Sequence, residues 1–367
     1  MRRNRNVQQT KNVVRNPLIK KITANAAAGR GTAGKPRCLA VCIILALLLV
    51  PSVLGADTVV RRFGVFIGSN NGGTGRTMLR YAVSDARTVS RVFAEMGGIG
   101  GGDNVLLVEP TVREIQGEIT RLANRVNQVK NQYRRTEIVF YYSGHSDENG
   151  LLLNRDRYTY RELREAINGI PSDIRIVILD SCSSGAITRA KGGIKTQPFL
   201  IDDSVSAEGY AFLSSSSADE VSQESDSIAS SYFTHSLVAG LRGAADSIGD
   251  GRVTLNEVYR FAYSETMSKT ELSRYGTQHP SYDMQISGTG DVVLTDIREM
   301  SSSMLIDAEL SGRISIRDSS DYLIAEITKT AGKAMELGLS PGLYRIVLQT
   351  GNAFYQGEIT LASGTTV

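Results

Sequence analysis

The chain is poor in cysteine: its 367 residues include three, and two of them, Cys38 and Cys42, lie in an N-terminal apolar segment. An exported protein that uses cysteine for stability pairs it in disulfides, so the single remaining thiol, Cys182, excludes a disulfide framework for the folded part. Cys182 follows a buried-strand pattern at residues 174–180 and precedes a turn of small residues. Because α/β enzymes present reactive groups at the ends of core strands, we interpret Cys182 as a nucleophile.

Acidic side chains are absent from residues 1–37, which hold ten Lys or Arg. The whole chain has 41 basic and 38 acidic side chains, so 31 basic and 38 acidic side chains remain beyond this segment, a net charge of about −7. A nucleic-acid footprint needs clustered surplus positive charge, and this balance excludes one on the folded part.

The basic segment leads into an apolar run at residues 38–50, which is followed by Pro51 and by small residues up to Ala56. This order is typical of a secretory signal and predicts export to the periplasm or the extracellular space. The run is short for a spanning helix, which needs about 20 residues. An uncleaved anchor over residues 38–56 is the alternative, and it would be the only predicted contact with a membrane.

Two kinds of periodicity divide the rest of the chain. Between residues 57 and 295, continuous apolar strands alternate with helix patterns, which predicts an α/β fold with a mostly parallel sheet and helices on both faces. Beyond residue 295, apolar residues alternate with polar ones between glycine turns, which predicts a small all-β sandwich. We therefore expect a signal or anchor at 1–56, an α/β domain at 57–295 and a β-sandwich domain at 296–367.

His145 follows one buried-strand pattern and Cys182 follows another, so both side chains should reach the carboxyl edge of one parallel sheet. An unperturbed thiol has a pKa of about 8.5 and needs a neighbouring base to become an effective nucleophile. The amides of Gly144 and Cys182 are the expected donors to a tetrahedral oxyanion. We interpret His235 as a packing residue of a helix, whereas His279, in a loop, stays open as an alternative base.

The two motifs together resemble the caspase-like cysteine peptidases, especially the bacterial relatives of metacaspases. The resemblance rests on Tyr-Ser-Gly-His at 142–145 and Asp-Ser-Cys-Ser-Ser-Gly at 180–185, and it extends from about residue 61 to 295. It implies a cysteine endopeptidase with a His145/Cys182 dyad and peptide or protein substrates. Ser146 and Ser183 stand where glycine and histidine are frequent in the family, so we expect the shape of the pocket to differ at these two positions.

The resemblance also implies a preference for Arg or Lys before the scissile bond, because metacaspase-like enzymes use acids to bind a basic residue. Asp180 matches one such acid and Asp85 a second, with Ser214 or Ser215 lining the same pocket. A buried carboxylate pair selects a cationic side chain by charge and can hold Arg with two hydrogen bonds. For Asp85, an ordinary charge on a helix surface explains the sequence equally well.

Two other classes of function remain open. A catalytically silent caspase-like scaffold would bind peptides or protein partners, with the C-terminal domain as its recognition module. A thiol hydrolase that acts on other bonds is the weaker possibility. The sequence predicts no oligomeric state.

Further motifs carry less weight. The glycine-rich loop at 68–77 lacks the spacing of a phosphate-binding loop. The segment Asp246–Glu257 matches most positions of a calcium loop, but Ile248 stands at a ligand position, and a turn with a helix cap explains the same residues. We expect no metal site and no required cofactor, with calcium at this loop as the alternative.

The segment Arg189–Lys195 is basic and glycine-rich, which makes it a hypothetical site of self-cleavage.

Overall fold

The computed structural model describes residues 60–182, 208–217, 220–287 and 291–367. Its largest sheet has eight strands, and six of them follow one another in the order β11-β7-β6-β3-β1-β2. These strands are β1 (Val60–Ser69), β2 (Asn104–Val108), β3 (Arg135–Asp147), β6 (Ile174–Asp180), β7 (Glu208–Ser214) and β11 (Ser281–Ser287). The other two strands, β4 (Gly150–Leu153) and β5 (Asp156–Thr159), form a hairpin that pairs with the end of β3.

Along the six-strand path, neighbouring strands are parallel except β11, which is antiparallel to β7. The helices of the domain are α1 (Ala82–Met96), α2 (Val112–Val129), α3 (Tyr160–Asn168), α4 (Tyr232–Ala239) and α5 (Leu255–Thr270). Helices α1, α4 and α5 bury one face of the sheet, and α2 and α3 bury the other. The core strands are continuously apolar because successive residues point to opposite, equally buried faces.

Short two-stranded pairs complete this part of the chain. They are formed by β8 (Glu224–Ser225) with β9 (Ser230–Ser231), and by β10 (Arg252–Thr254) with β12 (Val293–Asp296). The β8–β9 hairpin lies beside the first turn of α1, where the Glu224 carboxylate accepts hydrogen bonds from the backbone of Arg80 and Tyr81, each at 3.1 Å.

The C-terminal residues form two further sheets. One contains β13 (Ser302–Ile306), β16 (Met335–Gly338) and β19 (Thr365–Thr366), and the other contains β14 (Gly312–Asp318), β15 (Leu323–Lys329), β17 (Gly342–Thr350) and β18 (Ala353–Leu361). Their core includes Ala239 and Ala244, so apolar residues of the α/β part pack directly into it.

The predicted fold class is confirmed: a mostly parallel sheet with helices on both faces is followed by C-terminal strand sheets. The domain limits themselves stay a prediction. No helix within the described ranges is both long and apolar enough to cross a bilayer. The predicted signal at 1–56 and the predicted self-cleavage segment at Arg189–Lys195 lie outside the described residues.

Candidate active site

The register between β3 and β6 determines what meets at the carboxyl edge of the sheet. Ser143 lies opposite Asp180 in this parallel pair. His145 is two residues beyond Ser143, and Cys182 is two residues beyond Asp180. The two predicted reactive residues therefore occupy equivalent positions at the ends of neighbouring strands.

His145 is held by two neighbours. Its Nε2 lies 2.8 Å from the carbonyl oxygen of Thr77. A carbonyl only accepts hydrogen bonds, so Nε2 carries the hydrogen and Nδ1 is left as the basic nitrogen. The imidazole also lies against Gly72, where an added Cβ would be 2.4 Å from the ring. Burial lowers the pKa of His145, and this effect exceeds the opposite effect of the hydrogen bond to Thr77. The lowered pKa favours a neutral imidazole at rest.

Cys182 is a free, partly buried thiol. Its Sγ lies 3.9 Å from the carbonyl oxygen of Ser222. Burial raises the pKa of the thiol, and the negative charges of Asp180 and Glu224 raise it further, against the hydrogen bond to Ser222. The resting cysteine is therefore protonated near neutral pH, and a base must remove its proton.

Asp180 is buried at the end of β6, and hydroxyl groups surround its carboxylate. Ser222 donates to Oδ1 at 2.7 Å, and Thr234 donates to Oδ2 at 2.5 Å. The Ser231 hydroxyl donates to Oδ2 as well. These three hydroxyl donors orient the carboxylate.

Asp85 lies in α1 and is as buried as Asp180. It accepts hydrogen bonds from the Ser230 hydroxyl at 2.7 Å and from the Ser231 amide at 3.1 Å. Ser231 thus contacts both carboxylates. Burial, followed by the charge of Asp180, raises the pKa of Asp85 well above its usual value. Within the part of the chain that the structure describes, neither carboxylate forms an ion pair with Lys or Arg.

The two remaining predicted site residues are well defined in position. Gly144 lies in β3, and a Cβ there would be 2.4 Å from the Tyr142 hydroxyl and 2.9 Å from the Ser69 carbonyl. Ser214 is fully buried at the end of β7, and its hydroxyl donates to the Ser216 carbonyl at 2.8 Å. Their roles as oxyanion donor and pocket residue stay predictions.

Sequence reasoning missed several contacts around the nucleophile. Ser146, noted only as a departure from glycine, donates its hydroxyl to the Cys182 carbonyl. Ser222, Ser231 and Thr234, which hold Asp180, were not singled out. Serine and threonine are common in loops and caps, so only the fold distinguishes these hydroxyl groups from ordinary ones.

The other two histidines have partners of their own. His279 Nδ1 lies 2.7 Å from the Glu220 carboxylate, at the same edge of the sheet. His235 is buried in α4, as its interpretation as a packing residue implies, and its Nε2 accepts a hydrogen bond from the Glu326 amide.

In the segment Asp246–Glu257, where calcium is kept as an alternative, the acidic side chains accept hydrogen bonds from the segment itself. The Asp246 carboxylate accepts from the amides of Gly249 and Gly251, at 2.5 and 2.9 Å. Glu257 accepts from Thr254 and caps α5. Over the described ranges, no three His, Cys, Asp or Glu side chains are grouped closely enough to hold a metal ion.

A mostly parallel α/β sheet with a free thiol at its carboxyl edge defines the structural class of the protein. Comparison with known proteins identifies its family. The family model of the caspase domain matches residues 61–287, well over half of the chain. The chain therefore belongs to the caspase-domain family of cysteine peptidases, as the motif resemblance predicted.

Among solved structures, caspase-1 from Spodoptera frugiperda is similar to 64% of this chain over 92% of its own length. The identity is 14% and the TM-score is 0.43, so this likeness carries no argument about function. No curated protein matches the chain.

Proposed function

We propose that the protein is a cysteine endopeptidase in which Cys182 is the nucleophile and His145 is the general base and acid. The observation that carries this proposal is the register of β3 and β6, which places the two residues at equivalent strand ends. The bond from His145 to Thr77 supports it, because it leaves Nδ1 as the proton acceptor.

The proposed reaction proceeds in two stages. Nδ1 accepts the thiol proton as sulfur attacks the scissile carbonyl carbon, and amides near Gly144 and Cys182 stabilise the oxyanion. The imidazolium then protonates the leaving amine, which leaves an acyl-thioester on Cys182. In the second stage His145 takes a proton from water as the water oxygen attacks the thioester carbon, the C–S bond then breaks to release the carboxylic acid, and the imidazolium returns the proton to the departing sulfur of Cys182.

The direct test compares the chain with Cys182→Ala and His145→Ala on fluorogenic peptides. Both variants should lose turnover, and Cys182→Ala should also lose labelling by a peptidyl acyloxymethyl ketone. Turnover that survives Cys182→Ala would contradict the proposed nucleophile. A folded wild-type chain that binds peptides without cleaving or reacting with them would favour the silent scaffold instead.

We also propose that Asp180 and Asp85 select Arg or Lys at the residue before the scissile bond. Two buried carboxylates with no cationic partner in the described chain offer a site for a guanidinium or ammonium group. Because buried charge pairs contribute strongly, replacing Arg by its uncharged isostere citrulline should lower kcat/KM by about a hundredfold or more. Equal cleavage of the two peptides would overturn this specificity.

A further inference from the structure

The strand β15 is an edge strand, and its open side is covered by helices of the caspase domain. The sheet order is β15-β14-β17-β18, and Glu326 in β15 pairs with Ser315 in β14. On an edge strand, alternate residues point both their N–H and their C=O away from the sheet. At Glu326, the N–H donates to His235 Nε2 at 3.0 Å, and the carbonyl accepts from Lys269 Nζ at 2.8 Å.

His235 and Lys269 thus form a backbone clamp on Glu326. His235 comes from α4 and Lys269 from α5, and both side chains are almost completely buried. Lys269 also pairs with Glu265 at 3.0 Å, one helical turn earlier. Removing either half of the clamp would leave a partly buried backbone group of Glu326 without its partner.

The first turn of α4, which contains His235, also contacts Asp180 and Asp85, the two acids of the proposed pocket. Ser231 caps α4 and Thr234 lies in its first turn, and both donate to Asp180. His235 is the next residue. A cavity of about 20 Å³, enough for roughly one water, lies beside these contacts and is lined by Asp85, Thr234 and His235 together with Tyr322 and the first residues of β15.

Helix α4 has only eight residues, so what packs against it determines its position. One side of its first turn contacts Asp180, and the following residue contacts β15. A shift of α4 would therefore move the hydroxyl donors relative to both pocket carboxylates.

We propose that His235 is a positioning residue for substrate specificity. By holding Glu326 at the edge of β15, it fixes the first turn of α4 and, through Ser231 and Thr234, the carboxylates that bind a basic side chain. The C-terminal sheets are then a structural part of the specificity pocket. This inference rests on the proposed function, because it concerns the pocket of that enzyme.

The test compares four variants of the full chain. His235→Leu removes the acceptor, His235→Gln keeps an acceptor, and Lys269→Met with Glu265→Gln removes the other half of the clamp. Lys333→Met is the matched control, because Lys333 joins the C-terminal sheets to the Asp246 carbonyl at 2.9 Å, away from α4. The readouts are kcat and KM on an Arg reporter, the rate of Cys182 alkylation by iodoacetamide, and amide exchange of residues 231–235.

His235→Leu should raise KM about tenfold, with kcat changed less and the alkylation rate within about twofold of the original. The Lys269 double variant should act in the same direction, whereas His235→Gln and Lys333→Met should stay near the original KM. An unchanged KM in both clamp variants would overturn the inference. So would a folded variant in which KM rises while kcat and the alkylation rate both fall to the same extent.

Amide exchange separates this inference from the proposed function. If the original chain cleaves no basic reporter, the proposed function fails by itself. Faster exchange of residues 231–235 in His235→Leu would then still support the positioning of α4, and unchanged exchange would refute it.

Discussion

The orientation of the His145 imidazole depends on a glycine that takes no part in the chemistry. Gly72 packs against the ring, and the Thr77 carbonyl fixes its Nε2. A methyl group at residue 72 has no room unless the imidazole or the loop moves. The geometry of the proposed base therefore depends on the absence of a side chain at this position.

We predict that Gly72→Ala lowers kcat by roughly tenfold or more, since a misplacement of about 1 Å costs up to a hundredfold. The fold should persist, because residue 72 lies in a loop at the edge of the sheet. Gly117→Ala is the control: Gly117 lies in α2 with no atom within 4 Å of an added Cβ, and alanine is the better helix residue. Equal kcat in the two variants would show that Gly72 does not position the base.

The thiol of Cys182 is coupled to Asp180 through Ser222. The Ser222 hydroxyl donates to Asp180, and the Ser222 carbonyl lies beside Sγ. Because burial and then the charge of Asp180 raise the pKa of the thiol, Asp180→Asn should shift the pH profile of Cys182 alkylation to lower pH. Asp226→Asn, at an exposed residue paired with Arg80, should leave the profile in place. A shift to higher pH in Asp180→Asn would contradict the conclusion that the charge of Asp180 raises the pKa of the thiol.

Sequence reasoning identified His145, Cys182, Asp180 and Asp85 because strand periodicity and family motifs mark them. It could not identify the hydroxyl groups that hold the acids. Ser222 bonds to a residue 42 positions away, and further serines follow it closely at residues 225 and 227. Only tertiary packing decides which of these hydroxyl groups reaches a carboxylate.

At the scale of elements, apolar runs predicted the core strands and the 3.6-residue period predicted α2, whose buried residues are Ile115, Ile119, Leu122 and Val126. The docking of α4 on β15 carried no comparable signal. His235 and Glu326 are 91 residues apart, and neither the helix pattern nor the strand pattern indicates a partner.

Acid should weaken this docking. Burial, with a smaller effect of Lys269, lowers the pKa of His235 to about 3, whereas an unfolded histidine titrates near 6.5. The folded chain therefore binds fewer protons between these values, and this contribution to stability is present above pH 6.5 and lost as pH falls toward 3. Asp85, Arg91 and Arg242 also face the cavity beside His235.

We predict that thermal stability falls between pH 6.5 and pH 4 more steeply in the original chain than in His235→Gln, measured by circular dichroism. Both proteins keep Lys269 and the three charged residues around the cavity, so the difference isolates His235. Parallel pH dependences would show that the buried imidazole does not contribute.

At the scale of the whole molecule, the caspase domain and the C-terminal sheets share a core and several polar contacts. Arg242 donates to the Gly338 carbonyl at 3.1 Å, and Ala239 and Ala244 belong to the core of the C-terminal strands. The sequence suggested separate domains because the periodicity changes near residue 295. It could not show that the second unit buries its edge and part of its core against the first.

Gly243 lies at this contact, close to the backbone of a C-terminal strand. Its φ is +121°, and an added Cβ would lie 2.3 Å from the Glu336 carbonyl oxygen in β16. Gly332 has a similar φ of +113° within the C-terminal strands, but nothing lies within 4 Å of its added Cβ. Both glycines therefore have a φ that L side chains rarely adopt, and of the two only Gly243 would bring an added Cβ against the other unit.

We predict a single calorimetric transition for the chain, with Gly243→Ala lowering Tm by roughly 5 °C more than Gly332→Ala. Because the shared core couples the two units, the entire transition should shift in Gly243→Ala, and no early transition of the C-terminal sheets should separate from it. Two resolved transitions in the original chain, or equal shifts in the two variants, would mean that the units are stable independently. The clamp at Glu326 would then join two bodies that each hold their own shape, and a change in β15 could not reach the specificity pocket through α4.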